Sequence, residues 1–144
     1  MTGSFLVAEL ATVRLALPAA DVRAVIEVTA LTPVPLAPAH VAGLTAVRSQ
    51  AMTVIDSRAR VGLPPGGDGA GQLAVVVSLD GLSYALLLDA VHDVKACTQP
   101  PAAVRGGYGA GWDRVAVGMV ELDGDPALLV DPFAFISGEA RRAA

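Results

Sequence analysis

The stretch GLTAVRSQAMTVID, residues 43–56, has a counterpart later in the chain in GMVELDGDPALLVD, residues 118–131. Each begins with Gly and ends with an apolar residue followed by Asp, directly before a short helical pattern. A second pair, ALPAADVRAV (16–25) and ALLLDAVHDV (85–94), shares Ala-Leu at its start and valines at the same two later positions. The similar offsets predict two related five-stranded units, each a small barrel.

The composition favours strands. Hydrophobic residues make up 53% of the chain and aromatic residues only 4%, so the core is expected to consist of Val, Leu, Ile and Ala, which suit a pleated sheet. Short apolar runs are bounded by Gly, Pro, Asp or Ser, and two Asp-Gly pairs, 80–81 and 123–124, predict β-hairpins. We therefore expect a single all-β domain over 1–144 with a few short helices.

Two Gly- and Pro-rich segments interrupt the strands. PPGGDGAG, residues 64–71, is a linker by composition. It predicts an approximate first subdomain over 15–65, with parts of the termini, and a second over 72–131. TQPPAAVRGGYGAGW, residues 98–112, is either a mobile binding loop or a poorly ordered insertion.

Short helices are predicted at three places. PAADV begins with Pro18, and DSRARVGL has Asp56 as its N-cap. DPFAFISG has Asp131 as N-cap, Pro at the first helical position and Gly138 after its end, the order that helix termini favour.

Charge and length exclude several classes of protein. A net charge of −4 and a pI near 4.9 argue against nucleic-acid binding, which needs clustered Lys and Arg. MTGSFLVAEL lacks the basic leader of a signal peptide. No apolar run approaches the ~18 residues of a membrane span. We expect a cytoplasmic protein that inserts no segment into the membrane.

The residues offer little chemistry for catalysis. His40, His92 and Cys97 lack metal-ligand spacing, so we expect neither a metal nor a cofactor. A single cysteine also excludes an intramolecular disulfide.

Three carboxylates, Asp56, Asp89 and Asp131, each follow an apolar strand. Capping of the following turn or helix is the favoured interpretation. The alternative is a carboxylate cluster that forms a hydrolase or ligand site together with His92, with shifted pKa values.

Arg48 interrupts the apolar stretch 43–56, and no acidic residue stands beside it. Burying an unpaired guanidinium is costly. We expect an apolar, strand-rich chain without a visible catalytic apparatus to present surfaces to partners, with an occasional arginine as an anchor. A second interpretation is that Arg48 extends from the barrel edge into water.

The ordered set of these segments resembles the CheW-like family of bacterial chemotaxis coupling proteins, from about Ser4 to Ile136. The matching pieces are Ala16-Leu17-Pro18, Val22 to Val25, Thr32-Pro33-Val34-Pro35, Val41-Ala42-Gly43, Arg48, Thr53 to Asp56, Arg58, YALLLDAVHDV and ELDGDPALLVDPFAFI.

The resemblance implies two five-stranded SH3-like β-barrels that share a hydrophobic seam, and a non-enzymatic adaptor. The implied partners are the cytoplasmic tip of a chemoreceptor and the regulatory domain of a CheA-type histidine kinase. By the same resemblance, Val22 and Arg48 contact the receptor in a groove between the subdomains, and Ala24, Val25 and Ile26 contribute to the kinase-binding edge of the first barrel.

Three parts of the family pattern are changed in this chain. The NLRG core reads Ala46-Val47-Arg48-Ser49, and its Gly-to-Ser change would strain a turn that needs a positive φ. The expected glutamate is Ala24, and a proline is Thr53. These changes leave open a divergent CheW-like scaffold for another kinase pathway, such as pili-driven motility, or a competitor of a standard coupling protein.

Overall fold

The computed structural model describes residues 3–64, 71–104 and 108–139. This part of the chain forms short strands and three short helices, as the composition predicts. The strands are β1 (Gly3–Leu10), β2 (Val13–Pro18), β3 (Ala24–Glu27), β4 (Val41–Val47), β5 (Gln50–Ile55), β6 (Leu73–Leu79), β7 (Leu82–Leu88), β8 (Ala90–Cys97), β9 (Ala116–Leu122) and β10 (Asp125–Val130). The helices are α1 (Ser57–Arg60), α2 (Ala110–Asp113) and α3 (Ala134–Ser137), and a 3-10 turn covers Ala19–Asp21.

The strands form two five-stranded sheets. We call the sheet with the order β8-β1-β2-β10-β9 the terminal barrel and the sheet with the order β3-β6-β7-β5-β4 the central barrel. Neighbouring strands are antiparallel except β2 with β10 and β5 with β7, which are parallel. The predicted all-β fold of two five-stranded barrels is confirmed.

A short bridge after one edge strand closes each barrel onto the opposite edge strand. In the central barrel Thr32 and Leu44 exchange two backbone hydrogen bonds of 2.8 Å. In the terminal barrel Ala102 and Met119 do the same, also at 2.8 Å. The closing segments follow β3 and β8, and they pair with β4 and β9.

The glycine that begins each of the two related stretches lies at this closure. A Cβ on Gly43 would lie 2.5 Å from the carbonyl oxygen of Thr32, and a Cβ on Gly118 would lie 3.0 Å from that of Ala102. Gly43 also has φ +155°. Position 43 therefore requires Gly because the closing backbone approaches too closely for a side chain, and at Gly118 the same approach leaves little room for one.

The two sequence repeats exchange strands between the barrels. The first repeat supplies β1 and β2 to the terminal barrel and β3, β4 and β5 to the central barrel. The second supplies β6 and β7 to the central barrel and β8, β9 and β10 to the terminal one. The repeat pattern matches the structure, but the strands do not divide at 64–71 as the approximate bounds 15–65 and 72–131 expected, because β6 and β7 pair with β3 and β5 across that segment. Residues 65–70 of the predicted linker lie outside the described part of the chain.

The strands are apolar on both faces because each barrel has its own core and a third cluster joins the two barrels. On β1, Phe5 and Val7 point into the terminal barrel, whereas Leu6, Ala8 and Leu10 point into the joining cluster. On β7, Ala85 and Leu87 belong to the central-barrel core, whereas Leu86 and Leu88 belong to the joining cluster. Alternation with a period of two thus produces continuous apolar runs, and the predicted hydrophobic seam is present.

Four hairpins have two-residue turns in which both residues have positive φ, as in type I′ turns. The two Asp-Gly predictions are confirmed. The other two turns contain no glycine, so the Asp-Gly criterion misses them: they are Ala11-Thr12 and Arg48-Ser49.

The helix prediction is correct at α1, PAADV forms the 3-10 turn Ala19–Asp21 directly after Pro18, and the last helix needs a correction. Asp56 caps α1 by accepting the N–H of Ala59 at 3.1 Å. The last helix begins at Ala134 rather than beside Asp131, which accepts the N–H of Phe133 at 3.1 Å and so caps a turn before α3. Gly138 ends α3 with φ 83°, as predicted.

The end of the segment 98–112 packs into the protein, which neither interpretation of its composition expected. Its end forms α2, and Trp112 is only 4% exposed within the cluster that joins the barrels. Tyr108 packs edge-on against Trp112 with ring centroids 6.5 Å apart. Residues 105–107 lie outside the described part. The two aromatic residues in an aromatic-poor chain were the available signal for a buried role.

Candidate partner-binding groove

An open groove lies where edge strand β3 of the central barrel meets edge strand β8 of the terminal barrel. The terminal barrel contributes Leu6 and Val94 to its walls, and the central barrel contributes Val22, Arg23, Ala24 and Val25. Because β3 pairs only with β6 and β8 only with β1, the free edges of both barrels border this opening.

Two valines at equivalent repeat positions flank the groove. Val25 and Val94 occupy the last position of the related segments 16–25 and 85–94. Their exposed fractions are 45% and 55%. The groove therefore lies at the junction of the two repeats, and it exposes apolar side chains from both barrels at one place, as protein-interaction sites do.

The backbone that leads into β3 is held by two hydrogen bonds. The N–H of Val22 donates to Ala19 at 3.1 Å and closes the 3-10 turn. The N–H of Arg23 donates to the carbonyl of Val76 on β6 at 2.8 Å. Val22 is half-buried and packs against the cluster that joins the barrels, so its side chain forms part of the groove floor.

The residues of β3 divide between the groove and the barrel interior. Ala24 and Val25 are exposed and line the groove beside Val22. Ile26 is half-buried and packs against the core of the central barrel. The structure thus brings the predicted receptor residue Val22 together with two of the three residues predicted to contact the kinase, and directs the third inward.

Arg48 lies elsewhere. It occupies the turn that joins β4 and β5, with φ 51°. It is exposed and does not line the groove. Within 3–64, 71–104 and 108–139, no carboxylate forms an ion pair with it, so its guanidinium stays hydrated. The expectation that Arg48 ends a strand at the groove needs this correction.

Sequence reasoning missed Leu6, Arg23 and Val94 as groove residues. Val94 had a usable signal, because the alignment of the two repeats places it opposite Val25. Leu6 and Arg23 had none, because the groove is formed by strands from different barrels.

The other candidate residues are engaged in local structure. Asp56 and Asp131 accept backbone N–H groups, as described above, which confirms the capping interpretation for Asp56. Asp89 accepts the N–H of Ala11 at 2.7 Å and pairs with Arg58 at 2.5 Å. His92 contacts Glu9 at 2.5 Å. Asp56 and Asp89 line one small pocket together with Arg58, and neither His92 nor Asp131 lines it.

Among the described residues, no group of three or more His, Cys, Asp and Glu side chains is arranged to hold a metal ion. In the same part of the chain, no helix combines the length and the apolar character that a membrane crossing requires. The pKa of His40 is lowered by burial and by the nearby Arg60. His40 does not line the groove.

Comparisons with known proteins point to one family. A family model described as the CheW-like domain matches residues 4–140. A chemotaxis protein CheW from Rhizobium meliloti (strain 1021) is 27% identical over 120 residues, which cover 81% of this chain and 76% of that protein. The crystal structure of the scaffolding protein TtCheW from Thermoanaerobacter tengcongensis has a TM-score of 0.78 at 23% identity and covers 98% of both chains. This last similarity supports the fold.

Proposed function

The chain belongs to the CheW-like domain family, and on that premise we propose that it is a non-enzymatic signalling adaptor that couples chemoreceptors to a CheA-type histidine kinase in bacterial chemotaxis. The observation that carries the proposal is the family match over 4–140, which includes both barrels and the groove between them. The role places the protein in the cytoplasm, beside the receptor array.

The proposed receptor contacts are Val22 in the groove and Arg48 at the β4–β5 turn. Val22 offers an apolar floor next to the exposed Val25 and Val94. Arg48 offers a hydrated guanidinium that can form charge-assisted hydrogen bonds with a receptor helix. Because Arg48 does not line the groove, a receptor that binds both residues would extend beyond the groove wall.

The proposed kinase contact is the β3 edge with Ala24, Val25 and Ile26. Ala24 and Val25 are exposed there, and Ile26 supports the strand from inside the barrel. The two proposed sites would then adjoin at the β3 edge, where Val25 lines the groove and also belongs to the kinase-facing strand. A change in how one partner seats on β3 alters the affinity for the other, and this linkage is reciprocal.

Binding of the full chain to two probes tests the proposal: the cytoplasmic tip fragment of a chemoreceptor and the regulatory domain of a CheA-type kinase, both from the same organism. We expect Val94→Asp to weaken receptor-fragment binding at least tenfold by calorimetry, because it places a charge in the apolar groove. Leu82→Asp is the matched control, since Leu82 is 61% exposed on β7 and does not line the groove; its affinity should equal that of the wild type.

Absence of binding to both probes would contradict the adaptor role. Binding only to the regulatory domain of a kinase from another pathway would replace it with the divergent-scaffold alternative.

A further inference from the structure

We propose that Arg23 determines which segments the groove accepts, by requiring a carboxylate on the occupant beside the apolar side chains that seat against Val22, Val25 and Val94. The inference deepens the proposed function and rests on the groove being the receptor-binding site. The occupant to which we commit is therefore a receptor segment with an apolar face and one acidic residue at its β3-facing edge.

Arg23 is the charged residue of the groove wall. Its backbone is fixed on β6 through the 2.8 Å hydrogen bond to Val76, and its side chain is exposed. Among residues 3–64, 71–104 and 108–139, no carboxylate or carbonyl accepts a hydrogen bond from its guanidinium. A hydrated cation at the border of an apolar surface favours partners that bring a carboxylate to that border.

In the second repeat the equivalent side chain has a partner within the chain. The related segments 16–25 and 85–94 place His92 where the first repeat has Arg23. His92 lies on β8 and contacts Glu9 of the neighbouring strand β1 at 2.5 Å.

The first repeat lacks the corresponding acid. Leu6 pairs with Val94 across β1 and β8, and Val75 pairs with Val25 across β6 and β3, so Leu6 and Val75 are equivalent. Three residues further along each strand, Glu9 therefore corresponds to Ser78. In the terminal barrel, Glu9 of the same chain contacts His92. In the central barrel, the guanidinium of Arg23 remains available for a carboxylate of a partner.

The test measures the affinity of the full chain for the receptor tip fragment at low and at physiological salt. Arg23→Ala removes one exposed charge pair with the receptor, which is worth about 1 kcal/mol. The substitution should therefore weaken binding about fivefold and reduce its salt dependence. Arg23→Glu should weaken it further by repulsion. Arg114→Ala, an equal change in net charge at an exposed site outside the groove wall, should leave the affinity unchanged.

A second variant tests the difference between Ser78 and its counterpart Glu9 directly. Ser78→Glu supplies the missing acid, which should pair with Arg23 within the chain and weaken receptor binding about as much as Arg23→Ala does. In an Arg23→Ala background the same substitution should have no such effect. Asp→Asn and Glu→Gln variants of the receptor fragment should include one that weakens binding to the wild type but not to Arg23→Ala.

The outcomes separate the two proposals. If Val94→Asp weakens binding while Arg23→Ala and Ser78→Glu bind as the wild type does at both salt concentrations, the role of Arg23 is overturned and the groove remains the receptor site. If the wild type does not bind the fragment, or Val94→Asp binds it normally, the groove assignment falls and the inference falls with it.

Discussion

The β4–β5 and β9–β10 hairpins occupy equivalent places in the two barrels, but their turns differ in chemistry. Arg48 and Ser49 have φ 51° and 66°, and Asp123 and Gly124 have φ 53° and 82°. Gly adopts such angles without strain and Asp tolerates them, whereas Ser and Arg are disfavoured there. The same backbone in both turns indicates that strand pairing, rather than turn sequence, selects the turn conformation.

The side chains of the two turns also differ in what they contact. Asp123 pairs with Lys95 of β8 at 2.8 Å, so the second turn is tied to its own barrel. Arg48 has no such partner in the described part of the chain. The first turn therefore retains a less favourable sequence and an uncommitted cation, the combination expected where a surface serves a partner.

The loops that follow the two closing bridges also differ in how much of them is buried, and again the first repeat is the more exposed. In the first repeat the loop 33–40 lies at the surface, and Leu36 is fully exposed with φ 63°. In the second repeat the corresponding segment buries Trp112 and Val115 in the cluster that joins the barrels. The second repeat uses its loop for stability, and the first leaves its loop in water.

Among the substitutions that test this contrast, Trp112→Ala should have the largest effect on stability. Removing a buried large aromatic side chain should lower the free energy of unfolding by about 3–5 kcal/mol, measured by urea denaturation. Leu36→Ala should change it by less than about 0.5 kcal/mol because nothing covers Leu36. Similar costs for the two substitutions would show that the loops do not differ as described.

Exchanging Ser49 and Gly124 between the two turns measures how much each turn sequence contributes to stability. Ser49→Gly should stabilise the protein by about 1 kcal/mol, and Gly124→Ser should destabilise it by about 1 kcal/mol, since both turns need positive φ. Denaturant midpoints at constant slope would measure both changes. A destabilising Ser49→Gly would mean that the Ser49 side chain makes a compensating contact.

The smallest effect concerns the Lys95–Asp123 pair. The hydrogen bond and charge of Lys95 lower the pKa of Asp123, and Asp123 raises the pKa of Lys95. The contribution of Asp123 is therefore present above the pKa of an unfolded Asp and is lost as pH falls through its lowered folded value; that of Lys95 is present below the ordinary lysine pKa and is lost as pH rises through its raised one.

Lys95→Met should move the pKa of Asp123 back up toward its usual value, followed by the carboxyl chemical shift during an NMR titration. Both side chains are at the surface, so stability near neutral pH should barely change. An unchanged Asp123 pKa would show that the pair does not hold in solution.

Much of the fold could be predicted from local patterns. The Asp-Gly turns, the cap at Asp56 and the Gly after α3 depend on residues a few positions apart, and each determines its own backbone. Less of the candidate site could be predicted from the sequence. The family resemblance predicted partner-binding roles for Val22, Ala24 and Val25, whereas Arg23 and Val94 became groove residues only when β3 and β8 were placed side by side.

By itself the sequence determined the two repeats, their apolar strands and the glycines at equivalent positions, because these depend on alternation, turn chemistry and spacing along the chain. Only the tertiary structure decided that the repeats exchange strands, that Trp112 enters the shared cluster, and that Glu9 contacts His92 while Ser78 offers Arg23 no carboxylate. These features depend on contacts between strands far apart in sequence, and cross-strand register is set by how whole sheets bury their apolar faces.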